Sequence, residues 1–320
     1  MIPLPVLWSD NDTRDAHALR SGSRAQRRAS RAQRESPRLR QYALLIRLDR
    51  PEGTLLLLWP TLWALWIASN GIPGLHLFTV FVLGALLTRS AGCVFNDMAD
   101  SEFDASVSRT RDRPLATGTV TGTEALGVAA VLLFVAFLLV LTTNRLTVLL
   151  AFVAIPLATI YPFMKRYTYV PQFFLGIAFS WGIPMAFAAV RGEIPRVAWL
   201  LLVANLLWTV VYDTIYAMAD REDDIRVGLK STAILFGDSD RVMIGVFQVL
   251  MLITFLLLGR QLEFGPWYHA GLAVAAALAA WHQFLIHGRS PRRCIRAFRH
   301  NNWLGFAVFA GLLLEYQFGR

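Results

Sequence analysis

Two short stretches gather carboxylates at helical spacing where long apolar runs end. In "CVFNDMADSEFD", residues 93–104, Asp97, Asp100 and Asp104 fall at i, i+3 and i+7, one face of a helix, with Asn96 beside them. In "YDTIYAMADREDD", residues 212–224, Asp213, Asp220 and Asp224 fall at i, i+7 and i+11, and Tyr216 shares their face. Like charges so close repel, and a cation between them would relieve the cost. Ligands that are all oxygen favour a hard ion, Mg2+ or Ca2+. Cations flank both stretches: Arg109, Arg111 and Arg113, then Lys165 and Arg166, then Arg221, Arg226 and Lys230. Clustered acids with bases around them suit a diphosphate. A divalent ion bridges carboxylate and phosphate oxygens while Arg and Lys neutralise the remaining charge. Arg89, seven residues before Asn96, lies inside an apolar run, where a charge is expensive and marks function.

The elements that must position these residues are membrane helices. Hydrophobic residues make up 55% of the 320 and charged ones 17%, with long apolar runs recurring between short polar gaps. The runs predict nine spans: 54–70, 75–97, 121–143, 146–164, 171–190, 197–220, 241–259, 266–286 and 302–318. The expected fold is an all-α polytopic membrane protein, nine transmembrane helices in a bundle around a central cavity. The pairs Asp100/Asp104 and Asp220/Asp224, 120 residues and four spans apart, suggest a weak four-helix internal repeat. Residues 1–40 read as a disordered basic tail and 41–320 as the membrane domain. Of the 31 Lys and Arg, 25 fall in the tail and the loops after spans 2, 4, 6 and 8. The positive-inside rule therefore predicts that the N-terminus and both acidic clusters face the cytoplasm and the C-terminus the opposite side. The net charge of +9 has a membrane explanation, which argues against nucleic acid as a partner. The two cysteines, Cys93 and Cys294, match no metal-ligand pattern.

With these residues in view, the chain resembles the UbiA-type intramembrane prenyltransferases. That family's first motif, Asn-Asp-x-x-Asp-x-x-x-Asp, matches Asn96, Asp97, Asp100 and Asp104. Its second, Asp-x-x-Tyr-Ala-x-x-Asp-x-x-x-Asp, matches Asp213, Tyr216, Ala217, Asp220 and Asp224, and its Tyr-x-x-x-Lys element matches Tyr161 and Lys165. The likeness runs from about residue 41 to the end. "LLLLWPTLWALW", "RPLATG" and "GLKSTAILFG" are most similar to the bacterial members that prenylate 4-hydroxybenzoate. The resemblance implies transfer of a polyprenyl chain from polyprenyl diphosphate to the carbon ortho to the hydroxyl of 4-hydroxybenzoate, in ubiquinone biosynthesis at the bacterial inner membrane. It also implies that Asn96, Asp100, Asp104, Asp220 and Asp224 hold Mg2+–diphosphate. Asp97 and Asp213 remain for catalysis, as candidates to activate the phenol or take the ring proton. Arg47 or Arg89 would anchor the benzoate carboxylate. Arg109, Arg113, Tyr161, Lys165, Tyr216 and Lys230 complete the expected substrate site. Two alternatives stand beside this reading: another acceptor (a naphthoate, homogentisate or haem), or a cation-coupled transporter, whose acids belong nearer mid-membrane.

Overall fold

The computed structural model describes residues 37–101 and 110–319. The basic tail up to residue 36, Asp104 and Arg109 therefore lie outside the described residues. Among those described, regular structure is helical throughout: α1 (Arg38–Leu45), α2 (Glu52–Ser69), α3 (Leu75–Ala99), α4 (Gly122–Leu141), α5 (Arg145–Tyr167), α6 (Pro171–Ser180), α7 (Gly182–Arg191), α8 (Arg196–Val227), α9 (Thr232–Phe236), α10 (Asp240–Gln261), α11 (Pro266–Leu285) and α12 (Pro291–Leu314).

Among the described residues six segments are long and apolar enough to cross a membrane: α3, α4, α5, α6 with α7, α8, and α9 with α10. Burial sorts them. In α8, 61% of the apolar window is buried within the protein, against 11% in α5 and 17% in α4. α8 is thus an inner helix, while α4 and α5 turn most of their surface outward as lipid-facing helices do. The core lies where α2, α8, α10, α11 and α12 meet. Trp63 and Trp208 pack there at 5.3 Å between ring centres, with Phe255 edge-on to Trp63. Both indoles are fully buried and both N–H groups are satisfied. Trp63 donates to the Gly305 carbonyl at 3.2 Å and Trp208 to Asn301 Oδ1 at 3.0 Å.

The six segments match six of the nine expected spans; 54–70, 266–286 and 302–318 are not among them, and three expected bounds differ clearly from the helices. The expected span 171–190 is two helices, broken at Ser180–Gly182, where Pro184 cannot donate to the carbonyl four residues back. The expected span 197–220 runs on to Val227, because helix ends follow capping chemistry rather than the membrane boundary. Gly228, at φ +76°, closes it, and Leu229 N–H reaches back to the Asp224 carbonyl at 2.9 Å. The last helix starts at Pro291, eleven residues before the apolar run at 302, since its first turns are helical but rich in arginine.

Candidate active site

The acidic clusters lie toward the C-terminal ends of α3 and α8. At 1.5 Å per residue the 32 residues of α8 span about 48 Å, well beyond a hydrocarbon core of about 30 Å. Asp220 and Asp224 lie in the last two turns of α8. α3 ends likewise at Ala99, with Asp100 as its C-cap. Between these ends lies a cavity of about 690 Å³, walled by α2 to α8 and the start of α12. Its polar end carries Asn96 and Asp100 from α3 and Asp213, Tyr216, Asp220 and Asp224 from α8. Lys165 and Tyr161 from α5, Lys230, Arg47, Arg113 and Arg89 face the same space. The far part is apolar, formed by Leu133, Phe137 and Val140 of α4 against Ala151, Ala154 and Ile155 of α5.

The structure brings every described site residue of the sequence reading to this cavity wall except Asp97. That carboxylate is 1% exposed, and its Oδ1 takes Arg47 Nη2 at 2.6 Å and Arg113 Nη1 at 3.0 Å. α1 makes the first contact possible. Its Leu45 packs with Ala91, Val94 and Ala125 against α3 and α4, and the chain then turns through Arg47 at φ +56°. A left-handed arginine costs on the order of 1 kcal/mol and persists where its surroundings hold it. Burial opposes the Arg47 charge, but Asp97 beside it prevails and raises the guanidinium pKa, so Arg47 stays a cation.

Asp100 is placed differently. Its Oδ2 pairs with Lys165, while its Oδ1 is buried without a hydrogen-bond partner. A buried carboxylate oxygen left open is costly unless something else occupies it. Lys230 is tied to the same corner, its backbone N–H donating to the Lys165 carbonyl at 2.9 Å and its ammonium lying 5.3 Å from the Tyr169 ring centre. Among the described residues no three acidic, His or Cys side chains converge as a ready-made metal cage. Asn96, Asp100, Asp220 and Asp224 instead present separate oxygens around one space, which fits a hard divalent ion. Mg2+ in particular takes one or two carboxylates per ion and completes its shell with substrate phosphate and water.

Three cavity features escaped the sequence reading. Gln172 lines the wall and accepts from Thr232 N–H at 3.1 Å; its signal was an amide directly after Pro171 in an otherwise apolar run. Glu52 and Arg299 pair at 3.2 Å across α2 and α12, and no local pattern links residues so far apart in sequence. Gly53 faces Arg89 and gave no signal at all.

Comparison with known proteins places the chain among named relatives and folds. A protein from Ectopseudomonas mendocina described as 4-hydroxybenzoate octaprenyltransferase is 56% identical over 280 residues, 88% of this chain and 95% of its own length. One of the same description from Coxiella burnetii is 56% identical over 276 residues, 86% of this chain and 96% of its own. Among solved structures, a UbiA homolog from Aeropyrum pernix superposes with a TM-score of 0.74 at 24% identity, covering 83% of this chain and 98% of that one. A UbiA homolog from Archaeoglobus fulgidus, bound to GPP and Mg2+, gives 0.64 at 18% identity, covering 84% and 99%. The model of the UbiA prenyltransferase family matches residues 57–305, and on that match and these relatives the chain belongs to that family.

Proposed function

We propose that this chain transfers a polyprenyl group from polyprenyl diphosphate to 4-hydroxybenzoate, at the carbon ortho to the hydroxyl, releasing diphosphate in ubiquinone biosynthesis. The observation that carries the reading is one cavity with two chemistries: Asn96, Asp100, Asp220, Asp224 and Lys165 at one end, an apolar cleft between α4 and α5 at the other. Relatives 56% identical over nearly their whole length bear the name of that activity. The acidic end holds the diphosphate together with Mg2+, with Asp104 expected to join it. Mg2+ bound there supplies charge neutralisation for the departing diphosphate. Lys165 and Lys230, with Arg109 expected beside them, contribute fixed positive charge where that negative charge develops. The prenyl chain lies in the apolar cleft, where water that would quench an allylic cation is excluded.

Of the two acids left for catalysis, Asp213 takes the phenol or ring proton, a reading supported by its position on the cavity wall. Asp97 acts through the arginines it holds. Tyr161 and Tyr216 border the acceptor, and Arg89 binds its carboxylate. The nine apolar segments all cross the membrane, related by a four-helix repeat. The N-terminus and the acidic clusters face the cytoplasm of a bacterial inner membrane.

The test is purified protein in detergent, given labelled 4-hydroxybenzoate, octaprenyl diphosphate and Mg2+, with the product identified by mass. Prenylated 4-hydroxybenzoate is expected, lost on chelation and restored by Mg2+. Asp100→Ala and Asp220→Ala should each lower turnover by about 10²-fold or more. Near-normal transfer in either variant would sink the diphosphate site.

A further inference from the structure

Gly53 is the second residue of α2 and has no backbone reason to be glycine. Its φ is not in the left-handed region, and alanine is the better helix former there by roughly 1 kcal/mol. The reason is space. A Cβ at this position would stand 2.6 Å from Arg89 Nη2, 3.1 Å from its Nε and 3.2 Å from its Cζ. The Arg89 guanidinium is thus laid against the bare backbone at the start of α2. Two further contacts fix it in this recess. Nη1 donates to Cys93 Sγ at 2.6 Å, one turn along α3, and Cζ lies 5.9 Å from the Phe179 ring centre on α6. Nε is buried without a hydrogen-bond partner, a cost that local packing does not repay. Gly53, Arg89, Cys93 and Phe179 all border the cavity.

We propose that Gly53 is a positioning residue for acceptor recognition, its missing methyl forming the recess that seats the Arg89 guanidinium where the 4-hydroxybenzoate carboxylate binds. The inference rests on the reading that Arg89 takes that carboxylate. Because the displaced atoms are the far end of a flexible side chain, Gly53→Ala moves the guanidinium rather than the helix. A misplacement of about 1 Å in a binding group is enough to cost on the order of 10²-fold in a productive complex.

The experiment is a cycle of Gly53→Ala, Arg89→Ala and the double variant in detergent. It measures KM for 4-hydroxybenzoate and for prenyl diphosphate separately, with the melting temperature of each protein. Gly53→Ala should raise the acceptor KM about 10-fold or more, leave the donor KM within about two-fold, and leave the melting temperature unchanged or higher. The double variant should be no worse for acceptor than Arg89→Ala alone, because Gly53 acts only through Arg89. If Arg89→Ala raises the acceptor KM while Gly53→Ala does not, or if the two effects add, the role of Gly53 is overturned and that of Arg89 stands. An acceptor KM unmoved by Arg89→Ala overturns the reading of Arg89 and this inference with it.

Discussion

Asp97 and Asp100 are neighbours on α3 that meet opposite surroundings. Asp100 keeps one buried oxygen open toward the cavity, whereas Asp97 is closed off by two guanidiniums. This difference separates their predicted phenotypes. Asp97→Asn strips the charge from a buried pair and leaves Arg47 and Arg113 facing each other. Removing one member of such a pair costs about 3–5 kcal/mol, so thermal unfolding in detergent should show a clearly lowered midpoint alongside lost activity. Asp100→Asn also weakens a pair, with Lys165, but it relieves repulsion among the cavity acids, so its loss should fall on turnover and Mg2+ requirement with a smaller change in melting than Asp97→Asn. An Asp97→Asn protein as stable as the parent would show that the Arg47–Asp97–Arg113 bridge does not hold the site together.

At the scale of elements, the question is what keeps the end of α8 in register. Arg221, next to Asp220, points away from the cavity. It donates to the Ala233 and Gly237 carbonyls, the latter at 2.6 Å, and to Asp240 Oδ2 at 3.3 Å. Asp240, fully buried at the start of α10, also receives Arg289 from the α11–α12 turn, with Nη2 at 2.9 Å. The hydrogen bonds to Asp240 raise the Arg289 pKa and keep it charged. One carboxylate therefore ties the start of α10 and the α11–α12 turn to the helix that presents Asp213, Asp220 and Asp224. Asp240→Asn should raise the Mg2+ concentration for half-maximal activity several-fold while changing the acceptor KM little. A variant with unchanged Mg2+ dependence would show that α8 holds its register without this brace.

At the scale of the whole molecule, the cleft between α4 and α5 is the apolar part of the cavity and the proposed seat of the prenyl chain. Ala151, Ala154 and Ile155 recur at i, i+3 and i+4 on α5, so one face of that helix borders the cleft with two small side chains. Ala154→Trp should shorten the donors used. Turnover with octaprenyl diphosphate should fall about 10-fold or more relative to geranyl diphosphate, as expected for overfilling a packed space. Equal loss with both donors, read by product mass from mixed donors, would place the chain elsewhere.

Much of this was legible without coordinates. Six of the nine expected spans are, among the described residues, long and apolar enough to cross a membrane, and their positions follow hydropathy because a lipid-facing surface must be apolar whatever its neighbours. The two acidic faces were legible because helical spacing alone puts Asp97 with Asp100, and Asp213 with Asp220 and Asp224, on common faces. Spacing could not say which of those acids opens to the cavity, since that depends on what packs opposite. Arg47 and Arg113 reach Asp97 from distant parts of the chain, and only their arrival turns it from a free carboxylate into a bridge. Gly53 was illegible for the same reason. A glycine whose purpose is to leave room for a side chain 36 residues away has no local signature, and tertiary packing alone decides it.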